Sequence, residues 1–234
     1  MSRPLTALAV VLGVATAVVV AAILASSGGG HAATAQRSSG SRDVTGVLRG
    51  IPQHGLVLGR PDAPVLLVEF ADPQCPFCKE FADGPWPEIV RRYVRAGKVR
   101  MELRLMTFLG PDSERGARAL LAAGQQDRLW DAAARFYAVQ GEENTGYATD
   151  AFLRRVLGGV DGLDVRRAMR ARASATVDGE LGAVHSLASR YGVTSTPTLL
   201  IGTSDANLHS IGSGTPSVPQ VSASIDAELR KHRP

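Results

Sequence analysis

The most reactive side chains in the sequence belong to its two cysteines, at the ends of the segment Cys75-Pro76-Phe77-Cys78. Two thiols at this spacing can close a small disulfide ring, so the pair can accept or release two electrons while the fold stays unchanged. The pair follows an apolar strand and opens a helix, where unpaired N–H groups and the helix dipole stabilise a thiolate. We therefore predict that Cys75 is nucleophilic at neutral pH and that Pro76 occupies the first helical turn.

Three other roles compete with redox chemistry at this pair. A structural disulfide between Cys75 and Cys78 would close too small a loop to stabilise the fold much. A zinc site needs four ligands, but the sequence has no second cysteine pair and its histidines are scattered. Two inert core thiols are the remaining alternative. We carry the redox interpretation forward, and it requires no metal and no other cofactor.

Glu69 is a candidate proton acceptor for this pair. It is the one charged residue in the apolar run 65–70, so burial should raise the pKa of its carboxyl. That run leads into the loop that carries Cys75, which brings the carboxyl near the thiols. We predict that Glu69 accepts the proton of Cys78, and the alternative is a glutamate at the strand end that reaches solvent.

A second candidate lies far downstream, at Thr196-Pro197, directly before another apolar strand. Proline at the start of a strand is often an ordinary turn residue. Tight turns are also where cis X–Pro bonds collect, so a cis peptide bond is the sharper hypothesis.

The aromatic residues fall into two predicted groups. Phe77 and Trp86 follow Cys75 closely and are candidates for an apolar surface that contacts a peptide. Trp130 and Tyr137 recur at helical spacing and are predicted core residues.

The rest of the sequence predicts the elements that must position these residues. Strands are indicated where apolar residues run continuously or alternate, and helices where they recur every three or four positions. The predicted strands are 55–59 at a sheet edge, 65–70 and Val99–Leu105 in the core, and a hairpin of 198–201 with 207–211. The predicted helices are 76–94, kinked by Pro85 and Pro87, a helical block over about 111–191, and Val218–Lys231. This order predicts an α/β fold, with one mixed sheet and a helical insertion, over residues 44–234.

These features together resemble the thioredoxin superfamily, and within it the DsbA-like exported thiol–disulfide oxidoreductases. The resemblance rests on the strand with Glu69, on residues 72–78 (DPQCPFC) and on residues 191–198 (YGVTSTPT), and it covers about residues 50–232. It implies a thioredoxin-like mixed sheet in which the helical insertion separates the third strand from the strand that follows the proline.

The resemblance also implies roles for individual residues. Pro197 would be cis and would face the cysteines, and the backbone of Thr196 would pair with an extended substrate segment. Cys75 would be the attacking thiol, Cys78 the resolving thiol, and Glu69 the proton relay. The implied partners are exported proteins that contain cysteine and a membrane protein that reoxidises the pair.

The direction of electron flow is less sharply indicated. Strongly oxidising relatives carry histidine between the cysteines, where this chain has Pro76 and Phe77. Thr196 before the proline is similar to the isomerase and reductase relatives, but this chain lacks their separate dimerisation domain. We favour oxidation, because exported compartments are oxidising. The alternatives are a reductase or isomerase of the same fold, and a redox-inert peptide-binding module.

The first residues predict a location outside the cytoplasm. Residues 5–25 carry no charge, and as a helix of roughly 31 Å they could cross a bilayer core of about 30 Å. Arg3 precedes the run, which leaves the N-terminus in the cytoplasm by the positive-inside rule. We predict a single-pass membrane anchor (1–25) and a flexible Gly/Ser-rich tether (26–43). The alternative is a signal cleaved at the A-x-A sequence of residues 33–35, which would leave the domain secreted.

Composition excludes several other classes of protein. The chain has 234 residues, of which 44% are hydrophobic and 21% charged, as in an ordinary globular protein. Its net charge of +4 is small and dispersed, so we expect no nucleic-acid partner. Two cysteines are too few for a disulfide-stapled fold.

Overall fold

The computed structural model describes residues 44–231, which form helices around a six-stranded mixed sheet. The strands are β1 (Gln53–His54), β2 (Val57–Leu58), β3 (Val65–Ala71), β4 (Val99–Leu105), β5 (Thr198–Gly202) and β6 (His209–Ser213). Their order across the sheet is β1-β2-β4-β3-β5-β6, in which β3 and β4 are parallel and the other neighbouring pairs are antiparallel. The predicted α/β mixed sheet is therefore confirmed.

The helices stand before, between and after these strands. The α-helices are α1 (Val44–Leu48), α2 (Pro76–Asp83), α3 (Pro85–Ile89), α4 (Pro111–Gly124), α5 (Leu129–Ala138), α6 (Asp150–Gly158), α7 (Val165–Ala171), α8 (Ala175–Arg190) and α9 (Val218–Lys231). A π-helical turn, Val90–Val94, continues α3. Helices α4 to α8 lie between β4 and β5, which is the predicted helical insertion.

Strand β3 is the central strand that delivers the chain to the cysteines. Each of its seven residues is buried, which explains its nearly continuous apolar sequence. It pairs with β4 on one side and β5 on the other, so the residues before the cysteines and those after Pro197 are held by the same ladder.

Two predictions about local structure need correction. The strand at 55–59 is not at the sheet edge, because a tight turn at Gly55 (φ +58°) folds β1 back outside β2. The helix at 76–94 is interrupted rather than merely kinked, since α2 ends at Asp83, Gly84 leaves the helical conformation, and α3 begins at Pro85. Proline lacks the N–H that an uninterrupted helix would use at this position, but it suits a first turn.

The predicted core aromatic residues are confirmed. Trp130 and Tyr137 have no exposed surface, and both rings pack around the indole of Trp86. The helical insertion therefore contributes two aromatic side chains to the core around Trp86, which lies just after α2, the helix that carries Cys78.

The predicted anchor and tether, residues 1–25 and 26–43, lie outside the described residues. Within residues 44–231, none of the helices combines the length and apolar character needed to cross a bilayer.

Candidate active site at the cysteine pair

The cysteine pair lies where β3 turns into α2. The chain leaves β3 after Ala71, and Cys75 takes extended dihedrals (φ −67°, ψ 119°) as the residue that caps α2. Pro76 follows in the first helical turn, as predicted. The N–H groups of Cys78 and Lys79 both donate to the carbonyl of Cys75, at 3.1 and 3.2 Å, so the first turn of the helix is already closed.

The two thiols have opposite acidities. Hydrogen bonds to the sulfur of Cys75 lower its pKa to about 6 against the opposing effect of burial. The largest contribution comes from the Cys78 thiol, followed by the side chain of Thr196 and the backbone of α2. Burial raises the pKa of Cys78 far above its usual range, and the hydrogen bond and charge of Cys75 add to the increase. At neutral pH the pair is therefore a thiolate at Cys75 beside a neutral thiol at Cys78.

Glu69 lies on β3 with no exposed surface. Burial raises the pKa of this carboxyl to about 8, while a hydrogen bond from Trp86 opposes the increase and the charge of Cys75 adds to it. The alternative of a glutamate that reaches solvent is wrong, because β3 is the central strand and is covered on both faces.

The Thr196–Pro197 peptide bond is cis, as predicted. The sulfur of Cys75 lies 3.3 Å from the carbonyl oxygen of Thr196, to which the neutral thiol donates. Pro197 is buried and Thr196 half-buried. Residues 121 positions apart in sequence are thus brought together by the pairing of β3 with β5.

The exposed apolar surface differs from the one that was predicted. Phe77 is exposed (56%), but Trp86 is completely buried and belongs to the core, so its prediction as a peptide-contacting residue is wrong. Among the described residues, the other large exposed apolar side chains are Phe108 and Val139. The residues that follow them, Leu109 and Gln140, make hydrogen bonds to the loop of residues 72–75, which we call the cysteine loop.

A polar network that the sequence did not predict holds the loop before Cys75. Asp72 accepts hydrogen bonds from the Ser113 hydroxyl and from the backbone N–H groups of Gln74 and Leu109. The amide of Gln140 donates to the carbonyl of Cys75 at 3.1 Å. These contacts join the loop to α4 and to the segment after α5, and only the polar character of residues 72–74 hinted at them.

No metal site accompanies the cysteines in residues 44–231, where no group of three or more His, Cys, Asp or Glu side chains is placed to hold an ion. The two thiols can give up two electrons by forming a disulfide, and the disulfide can take two electrons back. The Glu69 carboxyl is near enough for its charge to raise the pKa of Cys78.

Residues 52–213 match a family model described as Thioredoxin. The probable disulfide bond formation protein D of Bacillus cereus is 28% identical over 177 residues, which cover 74% of this chain and 78% of that protein. The thiol:disulfide interchange protein DsbG of Escherichia coli is 39% identical over 77 residues, which cover 33% of this chain and 29% of that protein. The second match therefore spans less than a third of its relative.

Two solved structures share the fold. BdbD from Bacillus subtilis, in its oxidised form, superimposes with a TM-score of 0.66 at 22% identity and covers 77% of this chain and 97% of its own. A thioredoxin-like oxidoreductase from Silicibacter pomeroyi gives a TM-score of 0.62 at 26% identity, covering 82% and 99%. The predicted thioredoxin-like sheet with a helical insertion, and the resemblance on which it rested, are confirmed.

Proposed function

Because the chain belongs to the thioredoxin family and is a thiol–disulfide oxidoreductase, we propose that it exchanges disulfides with exported proteins through Cys75 and Cys78. The observation that carries this proposal is the difference between the two thiols. Cys75, with a pKa of about 6, caps the cysteine helix beside Thr196, while the neutral Cys78 lies fully buried one turn further. A thiolate at the start of a helix with a thiol behind it is suited to forming and then resolving a mixed disulfide.

In the oxidase direction, a substrate thiolate attacks the sulfur of Cys75 in the Cys75–Cys78 disulfide. The sulfur–sulfur bond of the pair breaks, a mixed disulfide forms, and Cys78 leaves as a thiolate that takes up a proton. A second substrate thiolate then attacks the substrate sulfur, and Cys75 leaves as a thiolate. Two electrons pass from the substrate to the pair, and a membrane redox partner that presents a disulfide would remove them.

Glu69 supplies and removes the proton of Cys78 in this scheme. Ionising Cys78 costs free energy because the sulfur has no contact with solvent. Cys78 therefore needs a nearby acid to protonate it when it leaves the disulfide and a nearby base to deprotonate it when it attacks. A carboxyl with a pKa of about 8 can serve both purposes near neutral pH.

Oxidation is the favoured direction because the Cys75 thiolate is stabilised, which stabilises the reduced pair and makes the disulfide a better oxidant. The reductase or isomerase alternative keeps support from Thr196, the residue before the cis Pro197, which is the feature that resembles the isomerase and reductase relatives. The alternative of a redox-inert peptide-binding module does not account for the difference in pKa between the two thiols.

Substrate contact is assigned to the surface around Cys75. The ring of Phe77 is exposed two residues after Cys75. The backbone of Thr196, half-buried beside the Cys75 sulfur, would pair with an extended substrate segment. Pro76, in the first turn after Cys75, and Pro197, in the cis bond after Thr196, are assigned to shaping the approach of substrate to the Cys75 sulfur.

The domain is proposed to act outside the cytoplasm and to remain at the membrane through residues 1–25. The uncharged run 5–25, preceded by Arg3, supports this location. Cleavage after residues 33–35 would leave the same domain secreted.

The test is to trap the mixed disulfide in cells that export the protein. In Cys78→Ser the resolving thiol is absent, so substrates should remain attached to Cys75 as higher-mass species that a reductant removes. Cys75→Ser is the matched control and should trap none. Equal trapping by both variants would show that the roles of the two thiols are wrongly assigned, and no trapping by either would support a redox-inert module.

A further inference from the structure

The buried carboxyl of Glu69 is held by a tryptophan. The indole N–H of Trp86 donates to Oε2 of Glu69, while Oε1 has no hydrogen-bond partner among the described residues. Both side chains are completely buried. The two oxygens of the carboxyl therefore differ in hydrogen bonding: Oε2 accepts from Trp86, and Oε1 has no partner among the described residues.

We propose that Trp86 is a positioning residue that keeps Oε2 of Glu69 as a hydrogen-bond acceptor and so leaves Oε1 as the oxygen that exchanges the proton of Cys78. This inference rests on the proposed role of Glu69 as proton relay and deepens it. An indole N–H can donate but cannot accept, so it bonds to Oε2 only while that oxygen carries no proton on the same lone pair. In a neutral carboxyl the carbonyl oxygen is the stronger acceptor, so the bond from Trp86 to Oε2 favours the proton on Oε1.

The packing of Trp86 fixes the direction of this donor. Its ring lies 5.0 Å from the ring of Trp130 and 5.9 Å from that of Tyr137, between centroids. The break between α2 and α3 at Gly84 places Trp86 at the start of a new helix, directly behind Pro85. A large ring enclosed in this way has little freedom to rotate, so the N–H stays aimed at the carboxyl.

The same bond adjusts the acidity of the relay. Burial of Glu69 favours the neutral acid, and the Trp86 hydrogen bond favours the carboxylate. Both are needed for a group that must accept a proton and return it near neutral pH. Without the bond, the carboxylate would form at higher pH and would have no partner for either oxygen.

The experiment compares Trp86→Phe with Trp130→Phe. Trp130 belongs to the same ring cluster, but its indole N–H donates to the carbonyl of Leu56 at 2.9 Å and does not contact Glu69. The two variants thus lose a similar side-chain volume and one hydrogen bond each. Circular dichroism and thermal unfolding would establish that both are folded.

The readout is the closing step of oxidation by glutathione disulfide. The Cys75 thiolate attacks one sulfur of the probe and releases a glutathione thiolate. Cys78 then gives its proton to Glu69 and attacks Cys75, which releases the second glutathione and forms the protein disulfide. In Trp86→Phe we expect the pH midpoint of this second step to rise by about one unit, which makes it roughly tenfold slower at pH 7. Trp130→Phe should keep the wild-type midpoint.

The Glu69→Gln background separates this inference from the proposed function. If Trp86 acts through Glu69, Trp86→Phe should cause no further shift of the midpoint when Gln replaces Glu69. A wild-type pH profile for Glu69→Gln itself would mean that the relay assignment fails. A changed profile for Glu69→Gln together with equal behaviour of Trp86→Phe and Trp130→Phe would overturn the role of Trp86 and leave the relay intact.

A measurement on the wild-type side chain covers the case in which Trp86→Phe does not fold. The indole N–H resonance of Trp86 in a ¹H–¹⁵N spectrum should shift with a midpoint at about pH 8, the pKa of Glu69. That shift should be absent in Glu69→Gln, and the resonance of Trp130 should be the steadier of the two. An indole resonance of Trp86 that ignores the titration of Glu69 would contradict the inference.

Discussion

Cys75 and Cys78 are the same residue type three positions apart at the start of α2, yet their surroundings differ. Cys75 caps α2 and accepts hydrogen bonds, foremost from the Cys78 thiol, that stabilise its thiolate. Cys78 lies one turn further along α2 with no exposed surface. It is close enough to Glu69 for the carboxylate charge to disfavour ionisation of the Cys78 thiol. The difference shows that the hydrogen bonds and the burial around each thiol set its acidity, rather than the cysteine motif alone.

The buried side of this comparison can be tested first, through stability. The pKa of Glu69 rises from its usual 4.5 to about 8 in the folded protein. Between these values the folded state holds a proton that the unfolded state has lost, so stability falls as pH rises from about 4.5 to 8. Glu69→Gln should lack this loss, and the difference in the free energy of unfolding between the two proteins should change by on the order of 5 kcal/mol across that window.

Urea unfolding of the reduced proteins at several pH values measures this gap. Glu80→Gln, at an exposed site on α2, is the matched control and should follow the wild-type curve. If the free energy of unfolding changes with pH in the same way for wild type and Glu69→Gln, Glu69 is ionised in the folded protein at neutral pH. The environment of Cys78 would then differ less from that of Cys75 than described.

The Cys75 side of the comparison can be sharpened by adding a charge beside its sulfur. Phe77 lies in the first turn of α2 with an exposed ring, and Phe77→His would place an imidazole next to the thiolate. We expect the pKa of Cys75 to fall by about 1 unit at most, or about 1.4 kcal/mol, because solvent screens part of the new charge. The reduced form gains this stabilisation, so the reduction potential should rise by roughly 30 mV.

Glutathione equilibration of Phe77→His measures the potential, with Phe77→Leu as a control that changes the ring without adding charge. If the pKa of Cys75 falls while the potential stays constant, thiolate stability does not set the redox balance of this pair. The contacts of Thr196 with Cys75 would then be the next place to look.

The sequence predicted most of what depends on local pattern. The apolar run of β3, the start of α2 at Pro76 and the limits of β4 and α9 follow from hydrophobic order and from proline at a helix start. The cis bond before Pro197 was predictable through the resemblance to a family, since no local signal distinguishes it from a turn.

The sequence did not predict contacts that depend on packing across the fold. Trp86 follows Cys78 closely along the chain, which placed it at the surface in the prediction. The break at Gly84 starts a new helix and buries the indole against Glu69. Likewise, the hydrogen bonds from Ser113 and Gln140 to the cysteine loop join segments far apart in sequence, and no periodicity records them.

The acidity of the two thiols tests the central claim most directly. Thiolate absorbance near 240 nm, followed in the reduced protein from pH 4 upward, should show one thiolate forming with a midpoint of about 6 and no second thiolate through neutral pH. That transition should disappear in Cys75→Ser and remain in Cys78→Ser, shifted upward because the Cys78 hydrogen bond is lost. Two thiolates forming together at about 8.5, the ordinary cysteine value, or a midpoint of about 6 that survives in Cys75→Ser, would contradict the account.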